Sequence, residues 1–184
     1  MIEDRSFSGC RALLSVDIPS SVTNIGNSAF SGCETLSTVK IAEGLKTIGE
    51  DAFRNCVALS SMSVPRSVER IGMFAFYGCS ALGDGVVTRD GCVLAVNGTC
   101  PRDVVLPIGT RLVGERVFNQ CNQLQNIVFP ASLRVIGQDS FYWCQNLKEV
   151  SLPNATTIGE YAFGDLYGEG CSSLTLISLP SATT

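Results

Sequence analysis

The sequence has no histidine among its 184 residues. Histidine is the commonest general base near neutral pH, a partner in Ser-His-Asp and Cys-His nucleophile pairs, and a frequent zinc ligand. Its absence argues against an enzyme and against the zinc sites that contain histidine. We therefore expect a non-catalytic protein without a metal or a cofactor.

Charge is also scarce, since 16% of the residues are charged and the net charge is −4. The 13 basic residues do not cluster, and the closest group is Arg66 with Arg70. An acidic chain without a basic patch is a poor partner for nucleic acid or an anionic membrane. Residues 92–96 are among the longest apolar runs, and none approaches the roughly 18 residues of a membrane helix. We expect protein partners, no nucleic acid, and no membrane insertion of this segment.

What the sequence does contain is phenylalanine at a fixed spacing. Four of the six intervals are 23 residues, one is 22, and one is 42 because it holds a 19-residue insertion. Self-similarity at a fixed period is the signature of repeat architectures. The recurring residues are Phe7, Phe30, Phe53, Phe76, Phe118, Phe141 and Phe163.

Each unit surrounds its phenylalanine with the same residue types. Val39 and Ile41 alternate with polar residues, which predicts a half-buried strand, and a proline after most strands ends the hydrogen-bond ladder. The Ala-Phe-x-x-Cys segment is typical of a short helical turn. One unit cannot bury its apolar face alone, so the pattern predicts a stacked solenoid. A glycine four residues before the phenylalanine predicts a corner with positive φ, at Gly26, Gly49, Gly72, Gly114, Gly137 and Gly159.

The pattern Cys-x2-Leu-x2-Val-x-Ile-Pro-x2-Val-x2-Ile-Gly-x2-Ala-Phe resembles the BspA-like leucine-rich repeats over nearly the whole chain. The resemblance implies a curved right-handed solenoid of about seven 23-residue units, mostly β with short helical turns. Its parallel β-sheet would lie on the concave side. The family is known mainly as surface adhesion and interaction proteins, so the resemblance also implies a cell-surface or secreted location.

The insertion at about residues 84–102 predicts a β-hairpin, because Asp90-Gly91 between two apolar runs favours a type I′ turn. With these two loop residues, Arg89 would face Cys92, Val87 would face Leu94 and Val86 would face Ala95. We expect the hairpin to pack on the solenoid edge and keep one face for recognition. Its deletion would then leave the fold intact.

Seven cysteines occupy the slot after the phenylalanine. We interpret them as a ladder of buried thiols, with a disulfide framework or a metal site as alternatives. Cys92 and Cys100 lie in the insertion and would pair with each other in an oxidising compartment. Asn97 and Asn154 begin glycosylation sequons, and Asn97 after the hairpin should be exposed. The ladder residues are Cys10, Cys33, Cys56, Cys79, Cys121, Cys144 and Cys171.

The ends of the sequence fall inside repeats. Ile2 precedes Phe7 by five residues, as Ile48 precedes Phe53, and residues 179–184 copy residues 152–157. We expect residues 1–184 to form a single solenoid domain that is an internal segment of a longer array, with further repeats flanking both ends. The alternative is a short natural chain whose ends pack on a partner.

The outward positions of the strands are the first candidate for binding a partner. Most carry small polar side chains, so a solvated face without a ligand is an equal alternative. The candidate residues are Asp17, Lys40, Ser63, Asp103, Asn126 and Glu149. Rival surfaces are the hairpin and an aromatic group, Tyr142, Trp143, Tyr161 and Tyr167, of which Trp143 should be partly exposed.

These features favour a protein-interaction scaffold, as a cell-surface or secreted adhesin. The alternative is a structural subunit that bridges neighbours in a multi-protein assembly. An enzyme is the third hypothesis, with Asp103 and Glu149 among its few available acids and bases.

Overall fold

The computed structural model of the chain describes residues 1–164, 168 and 170–179. Its short parallel strands form two rows that alternate along the chain. The front row contains β1 (Ser15–Ile18), β3 (Thr38–Ile41), β5 (Ser61–Met62), β9 (Asp103–Val105), β11 (Asn126–Val128), β13 (Glu149–Ser151) and β15 (Leu176–Ser178). The back row contains β2 (Asn24–Ile25), β4 (Thr47–Ile48), β6 (Arg70–Ile71), β10 (Leu112–Val113), β12 (Val135–Ile136) and β14 (Thr157–Ile158). The inserted hairpin consists of β7 (Gly85–Arg89) and β8 (Cys92–Asn97).

The strands pair in the register that the 23-residue period predicts. In the front row Val16 pairs with Val39, and in the back row Ile25 pairs with Ile48. Equivalent residues of successive repeats therefore lie side by side, and each repeat forms one rung of a β-solenoid. The predicted leucine-rich repeat solenoid of about seven units is confirmed.

The repeated phenylalanines form stacks inside the rungs. The rings of Phe30 and Phe53 have centroids 5.2 Å apart, and those of Phe53 and Phe76 are 5.3 Å apart. All three side chains are fully buried, whereas Phe7 at the first rung is 42% exposed. The segment around each ring is a hydrogen-bonded turn, as where Cys56 N donates to Phe53 O at 3.1 Å. Among the described residues, a single 3-10 turn, Ser80–Leu82, is the helical element.

The glycines that lie four residues before a repeated phenylalanine have a different role from the predicted one. Gly49 does not have positive φ; a Cβ on it would lie 2.7 Å from the carbonyl carbon of Gly26 and 2.8 Å from Asn27 N. Real Cβ atoms do not approach backbone so closely, so glycine is required because successive rungs touch there. Positive φ occurs instead two residues later, for example at Asp51 (54°). The prediction of a left-handed glycine corner was wrong.

The inserted hairpin has the predicted turn but a different register. Both Asp90 and Gly91 have positive φ, as a type I′ turn requires, and Arg89 faces Cys92. A bulge at Leu94 then shifts the pairing by one residue. Val87 consequently faces Ala95, and Val86 faces Val96, instead of the predicted Leu94 and Ala95.

The hairpin lies within the solenoid core. Strand β8 pairs in parallel with β10, so the hairpin extends the back row. Cys92, Leu94 and Ala95 pack into the core of residues 18–82, while Val93 packs into the core of residues 104–162. We call the rungs before the hairpin the first block (residues 1–82) and the rungs after it the second block (residues 103–179). The expectation of a hairpin on the edge with a free face was wrong, because β8 is apolar on both sides and both sides are covered.

Candidate interaction surfaces

The front surface, defined as the outward side chains of the front row, divides into two parts. In the first block Asp17 lies beside Lys40, with Oδ1 and Nζ 3.9 Å apart, and Ser63 is exposed on the same side. In the second block Asn126 Nδ2 donates to Asp103 Oδ1 at 2.5 Å, and Glu149 follows in register. The candidate residues are thus brought together as two groups of three. The hairpin separates the groups, so they do not form one continuous surface.

Exposed apolar side chains distinguish the front surface of the second block from that of the first. Val105 is 75% exposed and pairs in register with Val128, which is 56% exposed. Ile108, just beyond β9, is 99% exposed. The strand alternation that places Asp103 and Asn126 outward also places these two valines outward, but the candidate residues chosen from the sequence did not include them. The sequence did contain a signal, because all outward strand positions of the first block are polar whereas Val105 and Val128 are apolar.

A cleft of about 680 Å³ opens where the two blocks meet on the front side. Its walls come from both blocks, with Ser63 and Arg66 on one side and Ile108 and Gly109 on the other. Glu43 also lines it and accepts hydrogen bonds from Arg66 N and Ser67 N at 3.1 and 3.2 Å. These backbone donors, Arg66 N above all, hold the pKa of the Glu43 carboxyl below its usual value.

Charged side chains of the second block fasten it to the first. Arg70 and Glu115 form a bidentate pair, with Nε–Oε1 and Nη2–Oε2 distances of 2.6 and 3.1 Å. Arg111 donates to Val68 O at 2.6 Å and to Pro65 O at 2.9 Å. Bidentate guanidinium contacts are geometrically specific. They fix the relative position of the cleft walls.

The aromatic group lies on the turns, away from the front surface. Trp143 is half-buried, has φ of 59° and stacks on Tyr142 at 5.7 Å between ring centroids. The Arg116 guanidinium lies 5.7 Å from the ring centroids of both Tyr142 and Phe74. Because Phe74 belongs to the first block, this group bridges the blocks. Tyr161 is half-buried, and Tyr167 lies outside the described residues, as do residues 180–184.

The cysteines form a shorter thiol ladder than predicted. Cys121 is bonded to Cys100, so Cys121 is not a ladder thiol and Cys100 does not pair with Cys92. Cys92 is a free, fully buried thiol, and Cys10 is exposed. The remaining ladder thiols are free, and Cys56 Sγ lies 3.1 Å from Phe30 O.

Burial makes these thiols poor nucleophiles. It raises the pKa of Cys33, Cys92 and Cys171 to about 11, and it raises the pKa of Cys144 further. The neighbouring Cys79 thiol and burial both raise the pKa of Cys56. Across the described residues, His, Cys, Asp and Glu side chains form no group of three or more that could hold a metal ion.

The side-chain amides of both sequon asparagines donate hydrogen bonds to backbone carbonyls. Asn97 Nδ2 donates to Cys79 O at 3.1 Å and to Gly83 O at 2.8 Å, and the residue is half-buried. The expectation of an exposed Asn97 was therefore wrong, since its amide ties the end of the hairpin to the solenoid. Asn154 Nδ2 donates to Ala131 O at 2.9 Å. No described helix is long and apolar enough to span a bilayer.

Comparison with known proteins gives one family. The profile of the BspA type Leucine rich repeat region matches six copies, over residues 1–89 and 97–184. No curated protein sequence matches the chain.

Solved structures of bacterial repeat proteins are similar to this chain. A leucine rich cell surface protein from Faecalibacterium prausnitzii A2-165 is 28% identical, over 98% of this chain and 42% of that protein, with a TM-score of 0.47. A leucine-rich repeat protein from Bacteroides ovatus ATCC 8483 is 24% identical, over 97% of this chain and 64% of that protein, with a TM-score of 0.48. The T. pallidum leucine-rich repeat protein is 24% identical, over 90% of this chain and 69% of that protein, with a TM-score of 0.45.

This chain spans less than half of the F. prausnitzii protein and less than two thirds of the B. ovatus protein. The profile match, in contrast, covers nearly every residue, including the stacked rungs and their phenylalanine core. The chain belongs to the BspA-type leucine-rich repeat family.

Proposed function

We propose that this chain is a non-catalytic protein-interaction scaffold, and that it binds its partner through the front surface of the second block. The observation that carries the proposal is the exposed pair Val105 and Val128, bordered by Ile108 and the cleft. Apolar side chains surrounded by polar ones are typical of the centre of a binding surface. The polar side chains of Asp103, Asn126 and Glu149 form its rim.

The other surfaces are less suited to binding a partner. On the front surface of the first block, Asp17 and Lys40 form an exposed ion pair, which contributes little to affinity. The aromatic rings of Phe74 and Tyr142 are engaged with Arg116, which in turn pairs with Asp139. These rings connect the two blocks, so we assign them a structural role.

The proposed location is a cell surface or the extracellular space. A disulfide such as Cys100–Cys121 persists in an oxidising compartment and is rare in the cytosol. The buried thiols are compatible with such a compartment, because their raised pKa values keep them protonated and slow to oxidise. The disulfide and the family together favour a surface-exposed or secreted binding protein.

Site-specific photo-crosslinking tests the proposal. A photo-reactive amino acid at position 128 should capture a protein from the native cells or their surroundings, whereas the same group at position 40 should not. The captured protein, once purified, should bind this chain and lose at least tenfold in affinity when Val128→Lys is introduced. Lys40→Ala should change the affinity less than twofold. Capture at position 40 alone, or equal binding by Val128→Lys, would contradict the proposal.

A further inference from the structure

The front row is interrupted at the insertion. Strands β5 and β9 are consecutive members of the row, but they do not pair and each is the end strand of its own sheet. On the side that faces the first block, β9 has no pairing strand within the part of the chain that the structure describes. Edge strands present backbone donors and acceptors that another chain can pair with.

The backbone of β9 has its unused groups on this edge. Arg102 O accepts from Gln125 N at 2.7 Å, and Leu106 N donates to Val128 O at 3.0 Å. Backbone groups of successive strand residues point to opposite sides, so Asp103 and Val105 direct theirs away from β11. Within the described residues, neither the N–H of Asp103 nor that of Val105 has a hydrogen-bond partner.

The opposite edge of the gap is capped at one end. Val64 N, just after β5, donates to Asp90 Oδ2 of the hairpin turn at 2.8 Å. Natural proteins commonly cover or cap an edge strand to prevent unwanted pairing. Here the hairpin caps the first block with a carboxylate at Val64, at the end of its edge strand, and leaves the edge of β9 uncapped.

We propose that the free edge of β9 binds an extended peptide segment of the partner as an added parallel strand. This inference rests on the proposed function and names the class of partner for the same surface. The cleft at the end of β9, lined by Ile108 and Gly109, provides room for the peptide to continue beyond the paired residues. Strand addition supplies affinity through backbone hydrogen bonds and specificity through alternate side chains.

The outward side chains of β9 define which peptide fits. Within the solenoid an acidic side chain lies next to a basic one where Asp17 meets Lys40, and Val105 lies next to Val128. By the same cross-strand rule, a peptide in register with β9 should place Lys or Arg beside Asp103 and Val or Ile beside Val105. The expected recognition sequence is a basic residue followed two positions later by a β-branched apolar residue.

The probe is a phage-displayed library of random linear peptides, selected against the purified oxidised chain. Enriched peptides should share the basic residue and the β-branched residue at this spacing. N-methylation of the best synthetic peptide should weaken binding at least tenfold at alternate positions and less than twofold at the positions between them. Asp103→Lys should change the preferred basic residue to Asp or Glu.

Variants at one position separate the backbone from the side chain. Val105→Pro removes the edge-facing N–H, which the fold does not use, and proline is tolerated on edge strands. It should abolish peptide binding while keeping the circular dichroism spectrum and melting temperature. Val105→Thr keeps the N–H and the β-branched shape, so it should lose less than threefold. If Val105→Pro fails to fold, the N-methylated peptides decide the result.

The failure of this inference differs from that of the proposed function. Peptides that bind equally well after N-methylation at every position, and to Val105→Pro, would overturn strand addition in favour of recognition by side chains. No enrichment over the library selected against the denatured chain would also overturn it. Neither result removes the proposed function, because crosslinking at position 128 tests that independently.

Discussion

Replacement of Phe53 by alanine tests both the core and the division of the solenoid into blocks. Phe53 is fully buried, and its ring is stacked between those of Phe30 and Phe76 at 5.2 and 5.3 Å. The substitution removes the stacked contacts on both sides and leaves a cavity that neighbouring backbone cannot fill. A buried phenylalanine changed to alanine costs about 3–5 kcal/mol. We expect a loss near 4 kcal/mol in the free energy of unfolding of the first block.

Two variants serve as controls for this magnitude. Phe7→Ala makes the same chemical change at a ring that is 42% exposed and has one stacked neighbour, so it should cost about 1 kcal/mol. Phe118→Ala removes a fully buried ring of the second block. It should destabilise the second block by an amount similar to the effect of Phe53→Ala on the first.

The assay uses the single tryptophan, Trp143, which lies in the second block. In urea titrations of Phe53→Ala, circular dichroism should show an early transition of the first block, while the midpoint by tryptophan fluorescence stays nearly unchanged. Phe118→Ala should move the fluorescence midpoint instead. Repeat proteins can unfold locally in this way because each rung contacts mainly its neighbours.

Two results would refute the reasoning. A cost below about 1 kcal/mol for Phe53→Ala, or one equal to that of Phe7→Ala, would mean that Phe53 is not a core residue. Coincident shifts of both probes in Phe53→Ala would mean that the hairpin couples the blocks into one cooperative unit.

Three further predictions address the rung contacts, the insertion and the thiols. Gly49→Ala should lower the free energy of unfolding by about 3 kcal/mol, because the added Cβ would meet the backbone of the preceding rung. Gly164→Ala, which has open space around it, should leave that free energy nearly unchanged in urea denaturation. Deletion of residues 84–102 should lower the free energy of unfolding by roughly 5 kcal/mol or more, since it removes buried side chains from both cores. If the shortened protein keeps its stability, the hairpin does not belong to the core. Thiol titration without reductant should find seven free thiols in denaturant and fast labelling of Cys10 alone in the native protein at pH 8, with labelling of Cys33 rising towards pH 11. Nine free thiols in denaturant would refute the Cys100–Cys121 bond, and five or fewer would refute the ladder of free thiols.

The repeat period predicted most of the fold because a β-solenoid converts sequence spacing directly into spatial register. Phe30 and Phe53 are 23 residues apart and stack, and Val16 pairs with Val39 as the period requires. The purpose of Gly49 was not predictable in the same way. A glycine with positive φ and one at a close backbone contact look the same in a sequence, and only the position of the neighbouring rung separates them.

Local sequence patterns determine the turn of the insertion but not its register. The Asp90-Gly91 turn followed from local chemistry, but the bulge at Leu94 did not, because it depends on how the hairpin fits between the two cores. The partner of Cys100 had an available signal. Cys100 lies three residues before β9, and Cys121 lies five residues before β11. The two cysteines therefore occupy neighbouring positions on successive rungs.

The candidate site was predicted in part. Alternation along the strands placed Asp103, Asn126 and Val105 outward, and all three are exposed. The break between β5 and β9 was not predictable, because the spacing of the repeats does not show whether an insertion lies outside the stack or between its rungs. This break creates both the cleft and the free strand edge.

The bond between Cys100 and Cys121 also determines how the chain responds to mechanical tension. When force is applied across the described solenoid, a rung that detaches releases 23 residues, which extend by roughly 75 Å. The disulfide closes a loop of 21 residues at the entrance to the second block, so that segment cannot lengthen while the bond is intact. Reduction would release roughly 70 Å of additional extension. In the oxidised protein, the bond therefore holds the segment that contains β9 and β10 at a fixed contour length while weaker rungs yield.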